Sequence, residues 1–516
     1  MSHDMERNAA GRLVPVRVNG RDSVPYQGVD SYRPSGRKAG PGIATCLDHP
    51  EDGDKRATSL RSALEQVGLA DGMVVSTHHH LRNGDLVANM IFDVAAELGR
   101  RDLMWFPTAS FPVHANQIKH LDSGVIHHIE GSMNGPLGAY CSQGKMRGLG
   151  VLRSHGGRWQ AIQDGEVRID VAVIAAPTAD PFGNANGLGG PAACGPLGFA
   201  LADSIYAERV IVVTDALVPF PCLPWQIQGN NVDVVVEVES IGDPTKIVSG
   251  TTQLTQSPDR RRIAELAARF CAAAGIMRDG FSFQAGAGGT TLAFALYLRD
   301  LMRSAGVKAR FARGGSTQHM VEMLEEGLVE YILDGQTFDL HGVRSMRDNP
   351  RHCDTSPFTS YNFHGKGNFA SLVDVAVLGA TEVDLEFNGN VVTHSDGRLL
   401  HGIGGWQNCL TAGCSMLLVP SFRDRIPVIV DRVTTLCGPG ELIDVVVTER
   451  GIAVNPRRAD LLDAVADSDL PIRPIADLKA ELDRLCGVPA RPVLSEEPVA
   501  VVKWVDGTVL DTVWRV

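Results

Sequence analysis

The sequence predicts an α/β protein of two similar domains in tandem, each with a mainly parallel sheet covered by helices. Three segments of the first half recur in the second half, in the same order and at nearly one offset. Each recurring segment has an aspartate at the start of a β-type stretch. The paired aspartates are Asp71 and Asp279, Asp170 and Asp374, and Asp233 and Asp444, separated by 208, 204 and 211 residues. We interpret the halves as two copies of one domain, an arrangement that often places a binding site between the copies.

Short apolar runs in both halves predict strands that are buried on both faces. The runs are nearly continuous rather than alternating, which is typical of parallel sheets covered by helices. They lie at residues 73–76, 171–175, 210–214 and 234–238, and again at 281–284, 375–378, 428–430 and 445–447. Helical spacing over 57–69 and 258–275 predicts a helix before each copy, and Asp506-Gly507 predicts a terminal hairpin.

These elements divide the 516 residues into three parts. Residues 1–55 are rich in Gly, Pro, Asp, Arg and Ser without a sustained period, which predicts an irregular arm. Residues 56–250 and 251–516 are the two predicted domains.

Charge and composition exclude several classes of protein. The net charge of −12 argues against general binding to nucleic acid or to an anionic membrane surface. No apolar run reaches the roughly 18 residues of a membrane span, and the N-terminus lacks the apolar stretch of a secretory signal. The ten cysteines form no C-x-x-C pair, so we expect neither a disulfide framework nor a metal site. These features predict a cytoplasmic location.

A glycine-rich loop begins the helical part of the second copy. Gln284, Gly286, Gly288, Gly289 and Thr290 follow a predicted strand and lead into a predicted helix. Glycines let a ligand approach backbone N–H groups at a helix N-terminus, where anions are favoured. The loop lacks the Gly-Lys-Ser/Thr of a Walker loop and the G-x-G-x-x-G of a dinucleotide site. A tight turn without a ligand is the alternative.

A second glycine loop contains Gly402, Gly404 and Gly405. Its backbone amides are suited to holding a thioester oxygen or a developing oxyanion. The alternative is a loop corner with no ligand.

The corresponding turn of the first copy contains His78, His79, His80 and Arg82. Three consecutive histidines do not share one face of a strand, which makes a metal site from them geometrically poor. A mixed His/Arg anion pocket fits better, because an arginine binds a carboxylate through two parallel hydrogen bonds. A surface loop without function is the alternative.

Further polar segments are candidate walls of a site. They are Ser154-His155-Gly156-Gly157, the turn-rich residues 180–187, and the alternating carboxylates Glu382, Asp384 and Glu386. For each of them a purely structural role is at least as well supported by the residue types.

With these segments the chain resembles the alpha subunit of citrate lyase, a member of the coenzyme A transferase superfamily. The resemblance runs from about Leu60 to the C-terminus. It rests on HHHLRNGDL, SHGG, DPFGNANG, QAGAGGTTLA, ARGGST, DLEFNGNV, SDGRLLHGIGG and GIAVNPRR.

The resemblance implies a coenzyme A transferase-like fold and a citrate CoA-transferase activity. Citrate would displace acetate from the acetyl thioester of an acyl carrier protein, giving citryl-carrier and acetate. The carrier arm in this family is a phosphoribosyl dephospho-coenzyme A group borne by the gamma subunit, so no cofactor is bound covalently here. A beta subunit then cleaves the citryl thioester, which implies a hetero-oligomer.

The resemblance also suggests roles for the motifs. Related transferases use a covalent glutamate, but here the corresponding place reads Arg313-Gly314-Gly315-Ser316-Thr317, which implies direct transfer in a ternary complex. Gln284 and Gly286–Thr290 would bind the carrier arm, and Gly402–Gly405 the thioester oxygen. His78, His79, Arg82 and Arg313 would bind citrate.

Two other functions fit the same residues. A free-standing coenzyme A transferase for citrate, citramalate or another short acid would share the fold and loops. A non-catalytic scaffold that docks carrier and lyase subunits is the alternative from a different class.

Overall fold

Two large sheets organise the protein in this computed structural model, which describes residues 4–31, 50, 52–248, 252–363 and 367–516. The first sheet has seven parallel strands in the order β1-β7-β6-β5-β2-β3-β4. Its strands are β1 (Arg56–Ala57), β2 (Val74–Thr77), β3 (Leu103–Pro107), β4 (Ile126–Ile129), β5 (Val171–Ala175), β6 (Arg209–Thr214) and β7 (Val234–Glu237).

The second sheet has eight strands in the order β11-β10-β9-β8-β12-β13-β14-β15, and only its last pair is antiparallel. Its strands are β8 (Phe281–Ala285), β9 (Ala309–Ser316), β10 (Val329–Thr337), β11 (His352–Asp354), β12 (Val375–Leu378), β13 (Cys414–Leu418), β14 (Val445–Thr448) and β15 (Gly451–Val454). Six strands of each sheet share one topology, since β7-β6-β5-β2-β3-β4 corresponds to β14-β13-β12-β8-β9-β10.

The repeated aspartates make equivalent hydrogen bonds in the two halves. Each accepts a backbone N–H within two residues of the start of the neighbouring parallel strand, and so fixes the register of that strand pair. The acceptor–donor pairs are Asp71–Arg101 and Asp279–Lys308 (2.9 and 3.1 Å), Asp170–Val74 and Asp374–Ser282 (2.7 and 2.8 Å), and Asp233–Val210 and Asp444–Ser415 (2.7 and 2.8 Å). Gly72 and Gly280, each next to the first aspartate, both have φ of 77°, a conformation that favours glycine. The duplication predicted from the sequence is therefore a structural one.

Helices cover both sheets. In the described residues they are α1 (Leu60–Gln66), α2 (Val87–Glu97), α3 (Gln117–Ser123), α4 (Pro136–Ser142), α5 (His155–Gln163), α6 (Leu201–Tyr206), α7 (Pro258–Ala273), α8 (Gly289–Ala305), α9 (Gln318–Glu325), α10 (Leu340–Asp348), α11 (Pro357–Tyr361), α12 (Trp406–Cys409), α13 (Ala459–Val465) and α14 (Ile475–Cys486). Helices α1 and α7 confirm the two helices predicted before the copies. None of the helices in the described ranges is long and apolar enough to cross a membrane.

Alternate residues of the second sheet enter two different apolar cores. Phe283, Val375 and Val377 pack in a core with α7 and α8, whereas Ala376 and Leu378 belong to a core that continues through the first sheet. This two-sided burial explains why the strand sequences are nearly continuous in apolar residues.

One predicted strand was placed wrongly. Residues 428–430 supply only the short strand Ile429–Val430, which pairs with Glu382–Asp384 beside Gly389–Asn390 and is not part of the large sheet. The strand at the corresponding position of the large sheet is β13, whose sequence Cys-Ser-Met-Leu-Leu has no β-branched residue. Its weak β propensity hid it from pattern reading.

The N-terminal arm is more ordered than predicted. Residues 4–31 contain two short antiparallel pairs, Met5–Arg7 with Leu13–Pro15 and Arg17–Val18 with Arg21–Asp22, whereas residues 32–49 of the arm lie outside the described residues. The predicted terminal hairpin is confirmed as Pro498–Lys503 and Val509–Trp514. This hairpin adds in parallel to Gly150–Leu152 of the first half.

The two chain ends meet at this hairpin. The side chain of Asn8 donates to the carbonyls of Val509 and Leu510, at 3.1 and 2.7 Å. The remaining short pairs are Thr178–Ala179 with Ala185–Asn186 and Phe422–Arg423 with Ile426–Pro427.

Candidate active site

Two neighbouring cavities lie at the carboxyl ends of the central strands. The smaller has a volume of about 190 Å³ and is lined by residues of both halves. The larger, of about 1080 Å³, is lined by the second half, from Gln253 to Val428. Gly286, Leu378 and Trp406 line both cavities. The two cavities are therefore neighbours that share part of one wall.

The first glycine loop forms part of the wall of the larger cavity. Gly286, Gly288, Gly289 and Thr290 all line it, and helix α8 begins at Gly289 with Gly288 as its N-cap. The hydroxyl of Thr291 donates to the carbonyls of Gly286 and Gly288, both at 2.7 Å, and this fixes the turn. A methyl group added at Gly286 or Gly288 would meet only that hydroxyl, at 3.7 Å. The loop therefore leaves space for a ligand beside the unpaired N–H groups of a helix start.

Gln284 lies in the smaller cavity, next to Arg313. The Arg313 side chain is 1% exposed, and its Nη1 donates to Gln284 Oε1 at 2.6 Å. Its guanidinium lies 4.5 Å from the ring centre of Tyr361. Within the described residues no carboxylate comes within ion-pair distance of Arg313, and no Asp or Glu lines the smaller cavity. Arg313 is thus a buried cation at the wall of a cavity without a protein counter-ion.

Arg82 reaches the same region from the first half. Its guanidinium stacks on Phe338, which lines the smaller cavity, at 4.5 Å, and on Phe111 at 5.4 Å. Burial lowers the pKa of Arg82 to about 10, and its Nε is buried without a hydrogen-bond partner in the described part of the chain. Its φ of 52° is unusual for a residue other than glycine. A second cation therefore lies behind this wall, with no carboxylate partner among the residues that the structure describes.

The three histidines have different surroundings. His79 crosses the seam between the halves: its Nε2 donates to Gln336 Oε1 at 3.1 Å, and the Gln336 amide donates back to the His79 carbonyl at 3.1 Å. Its Nδ1 accepts the hydroxyl of Thr108 at 2.6 Å. Burial, reinforced by neighbouring positive groups, holds the pKa of His79 well below 6.5, so the ring is neutral.

His78 points away from the cavity. Its Nε2 lies 3.0 Å from Asp203, whose carboxylate also receives both terminal nitrogens of Arg158. Neither ring nitrogen of the buried His80 has a hydrogen-bond partner in the ranges described. His79 and Arg82 thus contact residues of the cavity wall, Gln336 and Phe338, without lining the cavity themselves, whereas His78 is engaged with Asp203.

The second glycine loop joins the halves. Gly402 packs against Ser132 and its N–H donates to Asn134 at 3.3 Å, so it does not line the smaller cavity. Gly404, at φ 62°, accepts the N–H of His155 at 2.9 Å. Gly405 alone of the three lines the smaller cavity. A Cβ at this position would lie 2.6 Å from the hydroxyl of Tyr361.

Several cavity residues were not singled out from the sequence as ligand groups. They are His155, Phe199, Gln336, Phe338 and Tyr361. Burial lowers the pKa of His155 to about 3 and raises that of Tyr361 to about 12, so both are uncharged near neutral pH. The SHGG motif gave a signal for His155, whereas no local pattern marked the other four.

The alternating carboxylates have structural partners. Glu382 accepts the N–H and hydroxyl of Thr434, and Asp384 accepts the N–H groups of Glu386 and Asn388. Within the described ranges, no group of three His, Cys, Asp or Glu side chains is arranged to hold a metal ion.

Comparison with known proteins identifies the family. Residues 53–516 match the family model for the alpha subunit of citrate lyase. The chain belongs to that family. The citrate lyase alpha chain of Haemophilus influenzae is 39% identical over 464 residues, which are 90% of this chain and 93% of the relative. That of Klebsiella pneumoniae is 40% identical over 465 residues, 90% of this chain and 91% of the relative.

Solved structures agree with the family assignment. A protein from Streptococcus mutans assigned as the citrate lyase alpha subunit, crystallised with citrate, superposes with a TM-score of 0.94 at 39% identity over 99% of each chain. A malonate decarboxylase alpha subunit from Acinetobacter baumannii has a TM-score of 0.60 at 18% identity, covering 83% of this chain and 87% of the other, and shares the fold. The resemblance and the fold class predicted from the sequence are confirmed.

Proposed function

We propose that this citrate lyase alpha chain transfers the thioester of an acyl carrier protein from acetate to citrate. The observation that carries the proposal is the pair of neighbouring cavities. The smaller is lined by a buried arginine without a protein counter-ion, and the larger meets it at Gly286. The smaller cavity is the acid site, and the larger takes the thioester arm.

Citrate binds between the halves, with its carboxylates towards Arg313 and Arg82. Both cations lack a carboxylate partner in the described residues, and a polyanionic acid supplies the missing charge through hydrogen bonds of about 1.5–3 kcal/mol each. His79 acts as a neutral link across the seam behind Gln336, because both of its ring nitrogens are engaged. His78, which is paired with Asp203, is therefore not retained as a citrate ligand.

The thioester arm enters along Gly286–Thr290. The arm is the phosphoribosyl dephospho-coenzyme A group of the gamma subunit, and its thioester reaches the smaller cavity past Gly286. The beta subunit then acts on the citryl-carrier, so the chain works within a cytoplasmic hetero-oligomer.

The transfer takes place in two balanced steps without a covalent enzyme intermediate. A citrate carboxylate attacks the acetyl carbonyl carbon, and the tetrahedral adduct expels the carrier thiolate to leave a mixed anhydride of acetate and citrate. The thiolate then attacks the citryl carbonyl of the anhydride and expels acetate. Both steps are consistent with a cavity that no Asp or Glu lines among the described residues.

The barrier is lowered mainly by position and by backbone amides. Holding the two reactants at the junction of the cavities supplies up to roughly 7–11 kcal/mol in well-oriented cases. Gly405 lines the cavity at the start of α12, and its N–H, which has no acceptor in the described residues, is the candidate donor to the oxyanion, worth about 3 kcal/mol.

The test compares two donors with a control that lacks a donor, and adds a chemical trap. Acetyl transfer to citrate is measured with acetyl-carrier protein, with acetyl-coenzyme A and with no donor, and the protein is treated with hydroxylamine after incubation with the donor. The proposal predicts faster transfer from the carrier protein and no hydroxylamine-sensitive enzyme thioester. Equal efficiency with free coenzyme A would favour the free-standing transferase, and a trapped glutamyl thioester would exclude the ternary mechanism.

A docking scaffold is distinguished by one variant. Arg313→Met should abolish most of the transfer while the protein still binds the carrier and lyase subunits in a pull-down. Unchanged turnover in this variant would favour the scaffold.

A further inference from the structure

Two arginines line the larger cavity without a counter-ion among the described residues. Arg423 donates from Nη1 to the carbonyl of Thr381 at 2.9 Å and from Nη2 to the carbonyl of Ala380 at 2.6 Å. Arg260 lines the same cavity. Neither makes an ion pair with any carboxylate in the described residues. The position of Arg423 is therefore fixed by neutral carbonyls that leave its charge uncompensated.

The arrangement is unfavourable for the protein alone. Burial and the nearby charge of Arg260 both lower the pKa of Arg423, and the charge of Glu382 offsets this only in part. Arg260 also lies in the first turn of α7, after Pro258 and Asp259. A cation at that end of a helix is disfavoured by the helix dipole. An anion between the two guanidinium groups would remove the repulsion.

The third arginine that lines this cavity is paired. Arg398, which lines the same cavity, lies 3.7 Å from Asp396. The unpaired state of Arg260 and Arg423 is thus a local property and not a general feature of the cavity.

The rest of the cavity is suited to a phosphate ester. The same space receives the start of α8 at Gly289, where the first N–H groups of a 17-residue helix have no intrahelical acceptor. Guanidinium groups bind phosphate through two parallel hydrogen bonds. Arg423, which is anchored on two carbonyls, and the exposed Arg260 can both supply such bonds.

We propose that Arg260 and Arg423 form a phosphate-binding subsite that holds a phosphoester of the thioester donor. This inference rests on the proposed function, in which the larger cavity takes the donor arm. It assigns the nucleotide end of the donor to the Arg260–Arg423 wall, and the thioester end to the junction at Gly286. The subsite accordingly selects donors by their phosphates rather than by their acyl group.

The test compares donors with and without phosphate. Acetyl-dephospho-coenzyme A and acetyl-pantetheine, which has no phosphate, are used as donors to citrate with the wild type, Arg423→Gln and Arg260→Gln. Each variant should lower kcat/KM for acetyl-dephospho-coenzyme A about 10- to 100-fold and change kcat/KM for acetyl-pantetheine less than twofold. Arg398→Gln, the paired arginine of the same cavity, is the matched control and should change neither.

Two results would overturn the subsite. An equal loss with both donors would assign the arginines a structural role, and no loss with either would place the phosphates elsewhere. A direct titration of the same variants with dephospho-coenzyme A and with pantetheine separates this question from transfer. If the wild type transferred no acetyl group to citrate from any donor, the proposed function would fall, whereas the subsite would be judged by the titration alone.

Discussion

Replacement of Arg313 by methionine should separate activity from stability. In the folded protein without ligand, burial of the Arg313 cation costs an effective free energy of several kcal/mol. It recovers one hydrogen bond to Gln284 and one stacking contact with Tyr361, together about 2–5 kcal/mol. The free energy of unfolding of Arg313→Met should therefore lie within about 1 kcal/mol of the wild type. A matched variant is Arg153→Met, which breaks ion pairs to Glu130 and Glu166 at 2.9 and 2.8 Å and should cost about 3–5 kcal/mol.

The same substitution should have a large effect on citrate binding, in contrast to its small effect on stability. Loss of a charged hydrogen bond of about 1.5–3 kcal/mol lowers affinity or kcat/KM about 10- to 150-fold. At a citrate concentration of about 100 times the wild-type Kd, the ligand stabilises the wild type by about 2.7 kcal/mol and the variant by only about 0.3–1.4 kcal/mol.

Urea unfolding with and without citrate, together with initial rates of transfer, measures both quantities. The reasoning is refuted if Arg313→Met loses as much stability as Arg153→Met, or if it keeps the full stabilisation by citrate.

Three further changes address other parts of the structure. Gly286→Ala should raise the KM for the thioester donor at least tenfold without unfolding the protein, since an added methyl meets nothing closer than 3.7 Å, and Gly367→Ala, in open space, is the control for donor kinetics. Burial holds the pKa of His80 well below 6.5, so the folded ring stays neutral while the unfolded chain takes up a proton below about pH 6.5. Each such histidine lowers stability by about 1.4 kcal/mol per pH unit below that value, and His80→Phe should remove this share of the decline between pH 7.5 and 5.5 in urea unfolding; an unchanged slope would contradict it. Asp374→Ala and Asp170→Ala should each cost about 1–3 kcal/mol of unfolding free energy, because each leaves a strand amide without its acceptor, and a loss in only one of the two would argue against their equivalence.

The duplication could be recognised from the sequence because the same short-range hydrogen bonds require the same residue types in both copies. An aspartate before one strand accepts the amide that begins the next, so the same residue type recurs at the same place in each copy. Strand β13 was missed in the sequence because its place between β12 and β14, and not its own β propensity, makes it a strand.

The candidate site was only partly predictable for a related reason. The composition of the glycine loop before α8 indicated a ligand site. Arg313 was singled out because it belongs to ARGGST, one of the motifs on which the resemblance rests. Gln336 and Tyr361 enter the site through contacts across the seam, such as the pair of hydrogen bonds between His79 and Gln336. Contacts between residues 257 positions apart have no local sequence signature.

The pairing of Pro498–Lys503 with Gly150–Leu152 also delays completion of the first half during biosynthesis. During translation a strand at residue 152 must await a partner that begins at residue 498. At roughly 5–20 residues per second the interval is about 20–70 s. Tyr26 and Asn8 wait for the same hairpin, since both bond to Val509. The first half therefore reaches its final form only after this hairpin has been synthesised, and a transcript truncated before codon 498 leaves Asn8 and Tyr26 without their partner.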